Sequence, residues 1–178
     1  MVFTLLLLLI SIVLFLLNSR YHHAFLLSSA ITFLTMFYHF AMRFIVGETV
    51  QIIFRKKEFH ENSLGFRLYS FEESFYKKIK VKRWKKSVIT AKPEAFDVSR
   101  LSPAELLHSM LQAELVHRII MLLSFVPLLF IIPFGAPVVF IVTSIFGCMI
   151  DCKYVIIQRY NRPRVKRLIY AQARRQQS

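Results

Sequence analysis

Hydrophobic residues fall along the chain in four runs, separated by polar stretches of very unequal length. Val2 to Leu17 is almost unbroken leucine, isoleucine, valine and phenylalanine. It is a little short of the roughly 20 residues that cross a bilayer. No basic residue precedes it and "LLNSR" is unlike a small-residue cleavage site, so it reads as an uncleaved first span and not as a signal peptide. Ala24 to Val46, closed by Gly47, is the second span. Leu115 to Ile132 and Pro137 to Ile157 are the third and fourth, and the short "PFGA" between them predicts an antiparallel hairpin. The pattern predicts an all-α integral membrane protein: one membrane domain over residues 1–178, with about four transmembrane helices.

Charge adds orientation. The 178 residues carry a net +14, with 56% hydrophobic content and mean hydropathy +0.50. A basic balance of that size attracts nucleic acid, anionic lipid or phosphorylated substrates. The clustered apolar runs decide against nucleic acid and for a membrane. Thirteen Lys or Arg residues lie in the polar region 48–112 and seven in the tail 158–178, against one in the loop after the first span and none in "PFGA". The positive-inside rule then places both termini and the central region in the cytoplasm. The stretch "SFYKKIKVKRWKKSV" interleaves Phe75, Tyr76, Ile79, Val81 and Trp84 with seven cations. That composition suits a basic amphipathic segment on anionic phospholipid, or a cradle for a phosphorylated ligand. Cys148 and Cys152 make neither a disulfide framework nor a zinc site, and no metal is expected.

Several ionisable residues fall inside or at the edges of the apolar runs. In the second span His39 and Arg43 are four apart on one face, with Arg43 placed to snorkel and His39 about 12 Å from the span's end. Asp151 and Lys153 lie near the end of the fourth, where Asp151 is a partner for Arg43 or Arg118. The segment "SPAELLHSMLQAELVHRIIMLL" opens with Ser102 as N-cap, Pro103 in the first turn and Glu105 three after the cap, a capping box. The helix is expected to run on to about Ile132. It holds Glu-x-x-His twice, as Glu105 with His108 and Glu114 with His117. Glu105 is used as capping partner. Glu114 and His117 sit where the helix enters the apolar layer, where an ionisable pair needs a partner or a cavity. Two readings stay open there: a carboxylate-oriented imidazole base, or a buried ion pair of Glu114 with Arg118 or Arg43.

Where the fourth run ends, "VIIQRYNRPRVKR" follows, with five cations among thirteen residues and no acid. A stop signal needs only the cations. Tyr160, Asn161 and the forked guanidiniums of Arg159, Arg162 and Arg164 make it look like a binding site for a planar anion or phosphate.

"AELVHRI", then "IIQRYNRPRV" about forty residues on, with "FRKKEF" and "FYKKIKVKRWKK" upstream, resembles the glycosyl-4,4'-diaponeurosporenoate acyltransferase family over roughly Phe54 to Arg175. These are bacterial membrane enzymes of the last step of staphyloxanthin-type carotenoid synthesis. The resemblance implies transfer of a fatty acyl chain to a sugar hydroxyl of a membrane glycolipid. Glu114 and His117 fall on the family's Glu-Leu-x-His step, and Arg159 to Arg164 on its Arg-Tyr-Asn-Arg block. The chain departs from the family pattern at Arg118, where an aromatic residue is common, and at Asp151 and Lys153, where Asn and Pro are. No cofactor is expected to be bound; acyl-CoA or an acyl carrier protein would be co-substrate. His117, oriented by Glu114, would be the base, and Arg118 or a tail arginine would face the oxyanion. A basic rim of Arg83, Lys85, Lys86, Arg159, Arg162 and Arg164 would hold the donor's phosphates, with Trp84, Tyr160 and Asn161 beside it. The His-x4-Asp, Gly-x-Ser-x-Gly and Gly-rich phosphate signatures do not occur. A small membrane methyltransferase or reductase with a soluble cofactor, and a non-catalytic lipid-binding subunit, are the other classes that fit.

Overall fold

The computed structural model describes residues 2–54, 59, 63, 65–84, 93–97 and 99–177. Among the described residues the regular structure is entirely helical: α1 (Val2–Tyr21), α2 (Ala24–Phe54), α3 (Ser70–Lys78), α4 (Val81–Trp84), α5 (Pro103–Leu123), α6 (Ile131–Phe134) and α7 (Pro137–Gln177). Short 3-10 turns cover Pro93–Phe96 and Val126–Phe130. Four stretches are long and apolar enough to cross a membrane: α1, α2, Pro103–Phe134 and the body of α7. Their outward side chains are large and apolar, up to Val2 at 83% and Ile132 at 93% exposure. Surface of that kind suits lipid, because helices satisfy their own backbone and need no water. The chain is an all-α membrane protein with four candidate spans.

Helix ends differ from the sequence reading wherever a helix is longer or shorter than its apolar run. Gly47 does not stop α2, which continues to Phe54. Arg43 is therefore internal to its helix, and it does not snorkel from an end. α7 runs through Ile157 and Pro163 to Gln177, so the expected basic tail is helical. α5 stops at Leu123, short of Ile132. The reason is Pro127. Proline has no N–H to give the carbonyl four residues back, that of Leu123. The Tyr38 hydroxyl donates to that carbonyl instead, at 2.8 Å. The capping box at Ser102 forms: Ser102 N–H donates to Glu105 Oε2 at 2.8 Å, and Glu105 N–H to Ser102 Oγ at 3.3 Å.

The chain divides into two compact units, and α2, α5 and α7 contribute residues to both. The first comprises residues 1–49 and 119–151. Leu7, Ala30, Ile31, Met42, Ile120 and Phe140 are buried in it. His22, in the left-handed region at φ 49°, closes α1 by donating to the Asn18 carbonyl at 2.7 Å. Ser11 Oγ donates to the Ala30 carbonyl at 2.9 Å, linking α1 to α2. A cavity of about 300 Å³ opens among Phe15, Ile31, Thr35, Tyr38, Pro127 and Phe140. The Arg43 guanidinium donates to Asp151, to the His39 carbonyl at 2.6 Å and to the Gly147 carbonyl at 3.3 Å. Asp151 is thus the partner of Arg43.

The second unit comprises residues 50–118 and 152–178. Its apolar centre is Leu106, Met110 and Val165, with Phe96, Leu107 and Ile169 packed on it.

Candidate active site

The second unit gathers charge around two buried carboxylates. α5 supplies Glu114, with no exposed surface, and α3 supplies Glu72. Glu72 is held by its own helix start: Tyr69 N–H donates to its Oε1 at 2.9 Å, and the Tyr76 hydroxyl, one turn on, to its Oε2 at 2.6 Å. α7 brings Arg159, which spans both acids. Its Nε donates to Glu72 Oε2 at 2.8 Å and its Nη1 to Glu114 Oε1 at 2.7 Å. Its Nη2 donates to Glu72 Oε1 and to the Arg67 carbonyl.

Arg162, three residues along the same face of α7, is 1% exposed. Its Nη1 donates to the Phe66 carbonyl at 2.7 Å, and its Nη2 lies 2.9 Å from Glu114 Oε2 as an ion pair without hydrogen-bond alignment. Arg118, one turn after Glu114, pairs with Glu114 Oε1, donates to the Gly65 carbonyl and lies 5.8 Å from the Phe66 ring centre. Of the two readings left open for Glu114, the ion pair with Arg118 is formed, and Arg159 and Arg162 join it. Glu114's oxygens face three guanidiniums, so the carboxylate gathers arginines.

Three guanidiniums meet two carboxylates here, which leaves one positive charge over. A partly desolvated site with a cation in excess favours an anion or a developing oxyanion. Burial alone would raise the Glu72 carboxyl, but hydrogen bonds from Arg159, Tyr76 and Tyr69 outweigh it and hold the group at about 2. Burial, then the neighbouring Glu72 carboxylate, pushes the Tyr76 phenol up. Glu72 therefore stays ionised and Tyr76 stays a donor.

His117 is half-buried and stacks face to face on Tyr154 of α7, ring centres 4.4 Å apart and planes within 7°. It follows Glu114 by three residues, less than one turn, and so neighbours the arginine cluster.

The Arg-Tyr-Asn-Arg block divides by helix face. Arg159 and Arg162, placed on a rim by the sequence, are instead enclosed, because the two acids and the Phe66 and Arg67 carbonyls take up their donors. Tyr160 and Arg164, four apart, make a second pair: Arg164 lies over the Tyr160 ring at 4.4 Å, and its Nη2 donates to the hydroxyl at 2.7 Å. Asn161 is half-buried; Arg164 is exposed, as is Arg83 on α4. Trp84 ends α4, while Lys85 and Lys86 lie outside the described residues. Sequence reasoning missed Glu72, Tyr154 and the carbonyls of Gly65, Phe66 and Arg67. One signal for Glu72 was present, an acid in a strongly basic region at N3 of a short helix.

The family model for glycosyl-4,4'-diaponeurosporenoate acyltransferase matches residues 53–171. The chain belongs to this acyltransferase family. The match contains Glu72, Glu114, His117, Arg118, Arg159 and Arg162, so the ion cluster lies wholly within the matched residues. The enzyme is a membrane acyltransferase of a family named for carotenoid biosynthesis. Neither a curated protein nor a solved structure matches the chain.

Proposed function

We propose that this acyltransferase moves a fatty acyl chain from a thioester donor, acyl-CoA or acyl carrier protein, to a sugar hydroxyl of a membrane glycolipid such as a glycosylated carotenoid. The observation that carries this reading is an imidazole set within one helical turn of a buried, positively biased arginine cluster. His117 takes the proton of the acceptor hydroxyl as its oxygen attacks the thioester carbonyl. The electron pair moves onto the carbonyl oxygen, and Arg118, the most exposed of the three clustered guanidiniums, stabilises that charge. Collapse expels the thiolate, which receives the proton from His117. Glu114 acts by holding the arginines beside the imidazole. Arg83 and Arg164, both exposed, meet the donor's phosphates or the acidic face of a carrier protein, and Tyr160 and Asn161 line the approach; Trp84 and Lys85 are assigned to the same donor set from sequence. Anionic phospholipids neutralise the remaining cations. The cation distribution supports a cytoplasmic position for both termini and for this chemistry.

The test is acyl transfer by purified protein in proteoliposomes, read by lipid mass spectrometry as gain of one acyl group on the glycolipid. His117→Ala is expected to lower the rate about 10²–10⁴-fold, the usual worth of a positioned acid–base group. Full transfer by a folded His117→Ala protein would overturn His117 as the base, and absence of transfer by the folded, unaltered protein would favour a non-catalytic, lipid-binding role.

A further inference from the structure

The first unit holds a polar layer that the reaction above does not use. His39 on α2 is 7% exposed, and neither ring nitrogen has a hydrogen-bond partner among the described residues. Ser144 on α7 is fully buried and its hydroxyl is likewise unpartnered. Gly147, one turn further along α7, is what admits the imidazole: a Cβ there would stand 3.0 Å from His39 Cε1 and Nδ1, and 3.3 Å from Ser124 Oγ. Ser124 already donates to the Ile120 carbonyl. The nearest charges, Arg43 and Asp151, neutralise each other.

Buried polar groups in a membrane-spanning bundle cost several kcal/mol each unless something satisfies them. The apolar cavity lies one helical turn away on the same elements. Ile31 and Thr35 line it and precede His39 on one stripe of α2; Phe140 lines it and precedes Ser144 by four on α7; Pro127 follows Ser124 by three. More than half of the residues lining the cavity are aromatic and none is charged. Since about 150 Å³ holds the six carbons of benzene, its volume admits a chain segment on the order of ten carbons.

We propose that this cavity binds a fatty acyl chain, and that His39 and Ser144 receive the carbonyl oxygen of its ester or thioester. Both side chains can donate, one through a ring N–H and one through a hydroxyl. The local charge balance selects a neutral oxygen over a carboxylate or phosphate. This inference rests on the acyl-transfer reading only for the identity of the donor; the site itself is tested without turnover.

The experiment uses the full chain in nanodiscs of diether phospholipid, which carry no ester carbonyl. One probe is the methyl ester of a diazirine-bearing fatty acid, and the other is the matching diazirine alkane. Label is mapped by mass spectrometry. The ester is expected to label Phe15, Thr35 and Phe140 about three- to tenfold more efficiently than the alkane, the worth of one or two net hydrogen bonds. His39→Leu and Ser144→Ala should abolish that preference while alkane labelling persists. Lauroyl-CoA and dilauroyl phosphatidylglycerol are the two competitors, and whichever displaces the ester names the source of the chain. Equal labelling by ester and alkane in the unaltered protein, label spread outside the cavity, or displacement by neither competitor each overturns the site. The unaltered-protein comparison decides even if His39→Leu fails to fold. Ester-selective labelling of an unaltered protein that transfers no acyl group overturns the reaction and leaves the site standing.

Discussion

Replacing Glu72 by glutamine tests whether the arginine cluster is held by charge. The carboxylate accepts two bonds from Arg159, one from Tyr76 and one from the Tyr69 backbone. These lower its pKa from 4.5 to about 2. At about 1.4 kcal/mol per tenfold in proton affinity, that difference amounts to about 3 kcal/mol of stability at neutral pH. Its sign is fixed by linkage. A group whose pKa is lower folded than unfolded contributes fully above the unfolded value, and loses that contribution as pH falls toward the folded one. The gap between the native protein and Glu72→Gln should therefore be about 3 kcal/mol and level above roughly pH 5.5, then close by about 1.4 kcal/mol per pH unit below 4.5. Equilibrium unfolding in mixed micelles, followed from neutral pH to about pH 3, reads both the size and the closing of the gap. A gap that does not change with pH would mean that Glu72 acts through shape alone. The account of the cluster as an electrostatic frame would then be wrong.

Three further outcomes are expected. Asp151→Asn strands the Arg43 guanidinium and should cost about 3–5 kcal/mol by the same unfolding assay, whereas the double change Arg43→Met with Asp151→Leu should be near neutral; equal losses would refute the pairing. Tyr38→Phe removes the donor to the Leu123 carbonyl and should cost about 1–3 kcal/mol; an unchanged protein would show that the break at Pro127 needs no cap. Arg83→Ala and Arg164→Ala should raise KM for acyl-CoA with kcat kept, and the effect should shrink as salt screens it; a kcat loss insensitive to salt would remove both from donor binding.

Much of the fold was legible because a bilayer imposes a simple rule on composition: a spanning helix must be apolar over about 20 residues. The start of α5 was legible for a local reason, since Ser102, Pro103 and Glu105 form a cap from their own spacing. Arg43 and Asp151 were pairable because intramembrane charges have few candidates. Helix ends were less legible. Gly47 weakens a helix without stopping it, and Pro127 stops one inside an apolar run where hydropathy shows no change. At the site, the arginine block announced itself, but its partners did not. Glu72 lies 87 residues from Arg159, and no local pattern says which acid a distant arginine will meet. The same ignorance placed Arg159 and Arg162 on a rim: a guanidinium's type is visible in sequence, but its burial depends on carbonyls at Phe66 and Arg67 that carry no residue signature.

Because both arginine sets hang on one unbroken helix, α7 works as a phase ruler. One added residue between Tyr160 and Arg162 would rotate everything after it by about 100°. Arg162 would leave Glu114 and Arg164 would leave Tyr160 in the same event, so the block can vary by exchange of side chains but not by change of length.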